Sequence, residues 1–434
     1  MKYLSRIQAV LDAPQALEAL FAEATKEHGA AEFGDDIETA YGTAPDQLLL
    51  AAWHFRLQPA LHEADERRPV NWTLALALSV LTGLVLWWLS GSLFVFHSST
   101  GRAEPFLVVL VSPVIALATL AYVAASRGRS YGLPAVLGAA LAVVTAFAMW
   151  RSVGDDTYRQ LAATHLPLLA WAAVGLGVMG MRASARNRFA FLSKSIEVIV
   201  VTGVYALGAM VFAAITIQMF KTLGITPTNA VTRLLMVGGT GLMPIIAVAS
   251  VYDPALPPEA QDFQRGLSRM VSTLPRLLLV LTLVVLMVYL ALIPANFMQP
   301  FRNRNVLITY NVMLFAVTGM LLGATPVSAD DLSEQYQRWL RRGIAAVAAL
   351  VLLVGLYALA AVLYRTVQDR LTINRLTIIG WNAISIGLLG LLLYRQAKGG
   401  RSQWVASLHA TFSVASVAYA GWAAFVVLAA VWLF

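Results

Sequence analysis

From Asn71 onward the chain alternates long apolar stretches with short polar and basic ones. An apolar stretch of about 20 residues is long enough to cross the hydrocarbon core of a membrane as an α-helix. The pattern therefore predicts an all-α fold, a polytopic transmembrane helical bundle of about eleven spans, with ten to twelve as the range. The predicted spans one to eleven are residues 72–96, 105–125, 131–150, 164–181, 195–220, 230–251, 275–298, 305–325, 343–364, 374–394 and 404–434.

The last of these stretches allows two interpretations. Residues 404–434 are longer than one span needs, and their first half contains polar side chains such as Ser407, His409 and Thr411. The stretch either crosses the membrane once or lies first at the interface and crosses from about Val417.

Residues 1–70 differ in composition and predict a small soluble head of three helices. One helix begins at Pro14 and ends at His28-Gly29, a second lies near residues 32–41, and a third begins at Pro45-Asp46. The segment holds six Lys/Arg against twelve Asp/Glu, which makes it acidic. Because so short a chain buries little apolar area, we expect either a cytoplasmic cap on the membrane body or a docking module for a protein partner.

The composition supports a membrane protein and excludes several other classes. Of 434 residues, 59% are hydrophobic and only 12% are charged, against roughly 25% charged in soluble domains. The whole chain has a net charge of +8, so residues 71–434 carry +14. These basic residues lie in short loops, where membrane lipids with anionic head groups are the expected partners and nucleic acid is not. The absence of cysteine excludes disulfides and thiolate metal sites.

The distribution of Lys and Arg predicts the orientation of the body. With the N-terminus in the cytoplasm, eighteen basic residues fall in inside loops and ten in outside loops. This bias favours a bacterial inner or plasma membrane location with a cytoplasmic N-terminus and an outside C-terminus. The loop that carries Arg365, Arg370 and Arg375 is an exception, because it is as basic as most inside loops.

Motifs that would indicate enzymatic chemistry are absent from the sequence. It has no H-E-x-x-H, no P-loop and no G-x-S-x-G, so we expect no catalytic residue, metal or cofactor, and an enzyme is not favoured. Glu197 follows Lys194 by three residues at the start of span five, which favours an ion pair at the interface over a proton or substrate site. His165 and His409 lie near span ends and are expected to be packed side chains rather than pH sensors.

Span six is the best candidate for a binding site. Gly238, Gly239, Gly241 and Pro244 lie within seven residues and weaken the helix. Transporters expose backbone groups to their substrates at such breaks, and Arg233 lies one turn earlier, where it can attract an anion. The alternative is close helix packing through small residues, with Arg233 extended to the interface.

Two polar segments are expected to start the helices of spans nine and ten. Ser328 is predicted to cap an amphipathic helix that runs to Arg342 and leads into span nine. Asn374 is predicted to cap span ten, with Arg375 at the outer interface.

The second half of the chain resembles the domain-of-unknown-function 4153 family of bacterial integral membrane proteins, over about residues 230–434. The resemblance is carried by three short motifs and by an upstream portion around Met243-Pro244. The motifs are Ser333-Glu-Gln335-Tyr-Gln-Arg338-Trp339, then Tyr364-Arg365, then Leu371-Thr-Ile-Asn374-Arg375. Arg370 stands where the family pattern has Gly. The resemblance implies a multi-pass membrane protein and singles out Gln335, Arg338, Asn374 and Arg375, but it implies no activity.

Two functional hypotheses follow from the sequence. The first is a transporter or permease-like protein with a site near span six. The second is a non-transporting membrane scaffold or sensor subunit whose N-terminal head binds a partner.

Overall fold

The computed structural model describes residues 3–11, 13–26, 30–66, 70–98, 101, 103–128, 131–263, 267–329, 332–400 and 403–434. The chain divides into two compact units, Met1–Pro69 and Val70–Phe434, which we call the head and the body.

The head contains four helices within its described residues, one more than predicted. They are α1 (Leu4–Ala9), α2 (Pro14–Lys26), α3 (Ala30–Thr43) and α4 (Leu48–Glu66). The six residues of α1 are too few to show a helical period, and tertiary contacts hold them: Tyr3 is buried against Phe33, and its amide donates to the Asp36 carboxylate at 2.7 Å. The predicted helix end at His28-Gly29 lies outside the described residues.

Within its described residues, the body contains eleven helices that are long and apolar enough to cross a membrane, which confirms the predicted bundle. They are α5 (Trp72–Leu89), α6 (Leu107–Arg127), α7 (Gly132–Arg151), α8 (Asp156–Met179), α9 (Ala185–Thr222), α10 (Asn229–Val251), α11 (Leu267–Leu292), α12 (Arg304–Ala324), α13 (Glu334–Gln368), α14 (Ile373–Lys398) and α15 (Trp404–Leu428). Short helical turns lie at Pro258–Ala260, Pro294–Asn296, Gln299–Arg302 and Ala430–Trp432.

Between α5 and α6 the chain forms an antiparallel hairpin of β1 (Val95–His97) and β2 (Ala103–Pro105). The prediction that span one continues to residue 96 was therefore wrong. The apolar side chains after Leu89 belong to this hairpin, where Phe96 is buried. Apolar content alone does not distinguish such a strand from a further turn of helix.

Three helix boundaries correct the predictions at the polar ends. Helix α13 begins at Glu334 and is capped by Ser333 rather than by Ser328, because the Ser333 hydroxyl accepts from the Tyr336 amide. Helix α14 is capped by Thr372 rather than by Asn374. Residues 404–428 form one continuous helix, so a separate interfacial helix before Val417 is not present.

Side-chain contacts gather the helix termini into two ends of the body. At one end Arg127, at the end of α6, donates to the carbonyls of Val178 and Pro254. We call it the Lys194 end, after Lys194 near the start of α9. At the opposite end Arg159 of α8 contacts Glu104 of the hairpin. We call this the Arg159 end.

The body helices pack as two groups joined by α15. Helices α5–α10 pack mainly against one another, as do α11–α14, while α15 packs against α14 of the second group and against α8 and α9 of the first. Helices α9 and α11 are the most exposed: only 11% of the apolar 18-residue stretch of each is buried, against 44% for α6, α8 and α13. Their broad exposed apolar surfaces are suited to contact with lipid.

Cysteine labelling tests the orientation that the Lys/Arg distribution predicts. Val153, in the loop at the Arg159 end, and Met181, in a loop at the Lys194 end, are 70% and 63% exposed. In the natural cysteine-free chain, Val153→Cys should react with a membrane-impermeant maleimide in intact cells, and Met181→Cys only after permeabilisation. The reverse pattern would contradict the predicted orientation.

Candidate functional site

A buried ion pair lies near the start of α9. The Nζ of Lys194 lies 2.8 Å from Oε2 of Glu197, and the two side chains are only 5% and 6% exposed. Ser184 caps the helix, and the first turns that follow pack inside the body through Phe189 and Phe191. The predicted pair therefore forms, but in the protein interior rather than at an exposed interface.

The lysine of this pair also binds the segment that follows α10. Its Nζ donates to the carbonyl oxygen of Asp262 at 2.8 Å and lies 5.2 Å from the centre of the Phe263 ring. A buried ammonium group is costly unless it is paired and hydrogen-bonded. These contacts meet that requirement and fix α9 to the connection between α10 and α11.

A polar cavity of about 360 Å³ lies on the Glu197 side of the pair. Arg269 and Arg276 of α11 line it together with Glu197, and Arg276 donates from Nε to the Ala324 carbonyl at 3.2 Å. Half of the remaining lining is hydroxyl-bearing or glycine and half is apolar: Ser193, Ser272, Thr273, Gly323, Thr325 and Ser328, then Ile196, Phe263, Val271, Pro326, Val327 and Leu332. Glu197 is paired with Lys194, and Arg269 and Arg276 bring two guanidinium groups to the lining. Guanidinium groups are good donors to anions.

An apolar chamber of about 750 Å³, partly open at the surface of the body, lies on the other side of the pair. Its walls come from α6, α8, α9 and α10 of the first group of helices and from α12 of the second. Lys194 lines this chamber, Glu197 lines the polar cavity, and Ile196 lines both. The ion pair therefore stands between a polar cavity and an apolar chamber.

Polar groups in the chamber are few and mostly hydrogen-bonded. Trp171 donates from Nε1 to the Ser195 hydroxyl, which itself donates to the Phe191 carbonyl. Tyr252, one residue beyond α10, lies by Arg127, and burial raises the pKa of its phenol to about 12. The phenol is therefore neutral at physiological pH, and Lys194 is the charged side chain in the chamber lining.

The site predicted in span six lies within a continued helix beside an apolar groove, not beside a polar cavity. Helix α10 contains a π-helical turn, Leu234–Gly238, followed by Gly239, Gly241 and Pro244 within a continued helix. The adjoining groove of about 610 Å³ is lined by apolar side chains and glycines. Arg233 lies at the Arg159 end, where Nη1 contacts the Ser90 hydroxyl at 3.4 Å. Of the predicted residues, Pro244 alone lines the chamber beside Lys194.

The glycines of α10 bring it close to α5. A Cβ built on Gly83 would lie 2.7 Å from the carbonyl oxygen of Gly238, and one built on Gly241 would lie 2.9 Å from Leu86. Gly239 has no atom within 4 Å of such a Cβ. The contacts of Gly83 and Gly241 are those of a close helix crossing, which favours residues without a side chain.

Both histidines of the spans have hydrogen-bond partners that hold them in place. His165 interacts through Nδ1 with the Leu161 carbonyl at 2.8 Å, and its Nε2 accepts from Trp381 at 2.9 Å. His409 contacts the Pro326 carbonyl at 2.9 Å and stacks on Phe189 at 4.1 Å. These contacts are those of packed side chains, as the sequence predicted.

The residues singled out by the family resemblance lie at opposite ends of the body. Gln335 and Arg338 are exposed in the first turns of α13, at the Lys194 end. Asn374 and Arg375 lie in the first turn of α14, at the Arg159 end, and the 35 residues of α13 separate the pairs by roughly 50 Å. They do not form one site.

The sequence pointed to the ion pair but missed its surroundings. In the sequence, Arg269 and Arg276 look like ordinary arginines before a span, and Trp171 looks like an ordinary apolar residue within span four. The available signal was two opposite charges one helical turn apart beside an apolar span. No grouping of three or more potential metal ligands occurs in the described part of the chain.

Comparison with protein-family models, curated proteins and solved structures finds no match for this chain. The fold itself defines a membrane-embedded, multi-pass α-helical protein.

Two alanine substitutions test the packing role of the α5–α10 crossing. Gly83→Ala should lower the free energy of unfolding by about 1–3 kcal/mol, because the added methyl meets a backbone oxygen that cannot move aside. Gly239→Ala, in the same glycine-rich segment, should leave it nearly unchanged. Thermal unfolding in detergent, followed by tryptophan fluorescence, measures both. Equal destabilisation by the two substitutions would contradict this interpretation.

Proposed function

We propose that the protein is a transporter that binds an amphipathic anion and moves it between the apolar chamber and the Lys194 end. The observation that carries the proposal is the buried Lys194–Glu197 pair between a polar cavity and an apolar chamber. The proposal keeps the transporter hypothesis and places its centre at α9, with α10 contributing Pro244 to the chamber wall.

The lining of the two spaces supports this class of ligand. The chamber has the volume of a typical small-molecule pocket, and its apolar walls are suited to a hydrocarbon tail. The polar cavity offers hydroxyl groups and the guanidinium groups of Arg269 and Arg276 to a charged head. An anion with an apolar tail matches both spaces at once.

In this proposal the ion pair separates the two spaces, and each member can exchange its partner when an anion arrives. Separating two buried charges is unfavourable unless each finds a new partner. An incoming anionic head pairs with Lys194, while Glu197 faces the cavity that holds Arg269 and Arg276. The charges remain neutralised throughout, and the head group passes without an isolated buried ion.

The two members of the pair should respond in opposite directions to a carboxylate probe. With cis-parinaric acid, whose fluorescence rises in apolar surroundings, Lys194→Gln should weaken binding about tenfold, since a charge-assisted hydrogen bond is lost. Glu197→Gln should strengthen it, because Lys194 is released for the probe. Titration of the purified full chain in detergent measures both.

Three controls separate this role from a structural one. Lys221→Gln removes a lysine at the far end of the same helix and should not alter binding. The methyl ester of the probe should bind all variants alike, because it carries no charge. The double variant Lys194→Gln/Glu197→Gln leaves no unpaired buried charge and should bind the ester but not the acid. Equal losses in both single variants would contradict the proposal.

The head favours a second candidate function, that of a scaffold or sensor subunit. It has its own buried core, including Leu17, Ile37 and Trp53, yet leaves Leu48 87% exposed and Phe55 62% exposed. Large exposed apolar side chains on a compact unit are typical of protein-binding surfaces. If this function holds, Leu48→Ser/Phe55→Ser should release a stoichiometric partner in native mass spectrometry while the probe still binds the body.

A further inference from the structure

A second polar recess, of about 470 Å³, lies at the Arg159 end between the Gln299–Arg302 turn, the end of α13 and the start of α14. Its lining includes Phe301, Arg302, Tyr364, Arg365, Asp369 and Arg375. Three arginines face one carboxylate, which leaves a formal charge of +2 in the recess. It lies at the opposite end of the body from the Lys194–Glu197 pair and is independent of the function proposed above.

The three arginines are used differently. Arg375 is fully engaged: it donates to the Arg365 and Arg370 carbonyls and pairs with Asp369 at 2.7 Å. Arg365 has a buried Nη1 without a hydrogen-bond partner among the described residues. Arg302 is exposed at the rim. The Asp369 carboxylate is thus paired with Arg375, and the positive charges of Arg365 and Arg302 can bind another anion.

Aromatic side chains continue the recess towards the spans. Phe301 packs edge-on against Tyr364 with ring centres 5.4 Å apart, and it also contacts Tyr357. Tyr357 donates to the Phe297 carbonyl at 2.6 Å. Aromatic rings with polar tips are typical of the membrane interface, the level at which lipid phosphates lie. The recess therefore combines guanidinium donors with an interfacial position.

We propose that this recess binds a phosphate group, held by Arg365 and Arg302 and supplied by the head group of an anionic phospholipid. The planar donors of arginine match phosphate oxygens in pairs, and the buried N–H of Arg365 gains the acceptor it lacks. The proposal also explains why the loop from Arg365 to Arg375 is basic on the side predicted to have fewer Lys and Arg.

Competition between wild type and variant in one native mass spectrometry sample tests the proposal. Equal amounts of wild-type and Arg365→Gln full chain, which differ in mass, receive a limiting amount of phosphatidylglycerol. The wild type should retain the lipid about tenfold more than the variant. Arg302→Gln should also retain less of the lipid. Because Arg302 is exposed, this substitution should not disturb the fold. Arg370→Gln, in the same loop but outside the recess lining, is the matched control and should behave as wild type.

Two further arms identify the source of the phosphate. Phosphatidylcholine should show no difference between variants, because its head group is neutral overall. Inorganic phosphate and glycerol 3-phosphate are tested as stabilisers of the protein in thermal unfolding. If they stabilise the wild type but not Arg365→Gln, and phosphatidylglycerol is not selected, the recess binds a soluble phosphate and the lipid assignment is wrong. Equal retention by all variants with no stabilisation would overturn the site itself.

Discussion

The ion pair between Lys194 and Glu197 is the interaction on which the arrangement of the body depends. Two charges removed from water must neutralise each other, and their remaining donors and acceptors need partners. This requirement keeps the first turns of α9 inside the protein and attaches them to the Asp262 carbonyl. Beyond these turns the helix has no charge to shield until Lys221, and its surface faces outward as apolar side chains. One helix thus serves as a core element and as a lipid-facing element.

Arginines perform a related task at both ends of the body by binding the carbonyl oxygens that helix ends leave free. Arg127 holds the end of α8 through Val178, Arg341 binds the Gln396 carbonyl at 2.6 Å, and Arg375 binds that of Arg370. Since these carbonyls have no partner within a helix, they gain from a charged donor. Much of the basic charge counted in the loops is therefore structural. Arg365 differs because part of its donor capacity remains unused.

The fold followed from the sequence more completely than the site did. Apolar length predicts spans well, because backbone groups in a membrane must be hydrogen-bonded within a helix. Apolar length predicted residues 90–96 wrongly, because an apolar hairpin looks like a further stretch of helix. Two helix starts were also predicted wrongly, because several residues near each start can cap a helix, and Ser333 and Thr372 are the ones that do. The glycines of span six suggested a binding site, but they pack against α5. The cavities are formed by helices that are distant in sequence, so no local sequence pattern predicts them.

If Lys194 and Glu197 act as one buried pair rather than as two independent charges, the effects of replacing them should not be additive. A double-mutant cycle on thermal stability tests it, with Lys194→Gln, Glu197→Gln and the double variant compared in the same detergent. Removing one member of a buried pair costs about 3–5 kcal/mol, because the other charge is left unpaired, whereas removing both charges avoids that penalty. The double variant should therefore be more stable than either single variant. Additive losses would show that the two charges do not depend on each other and would contradict the account.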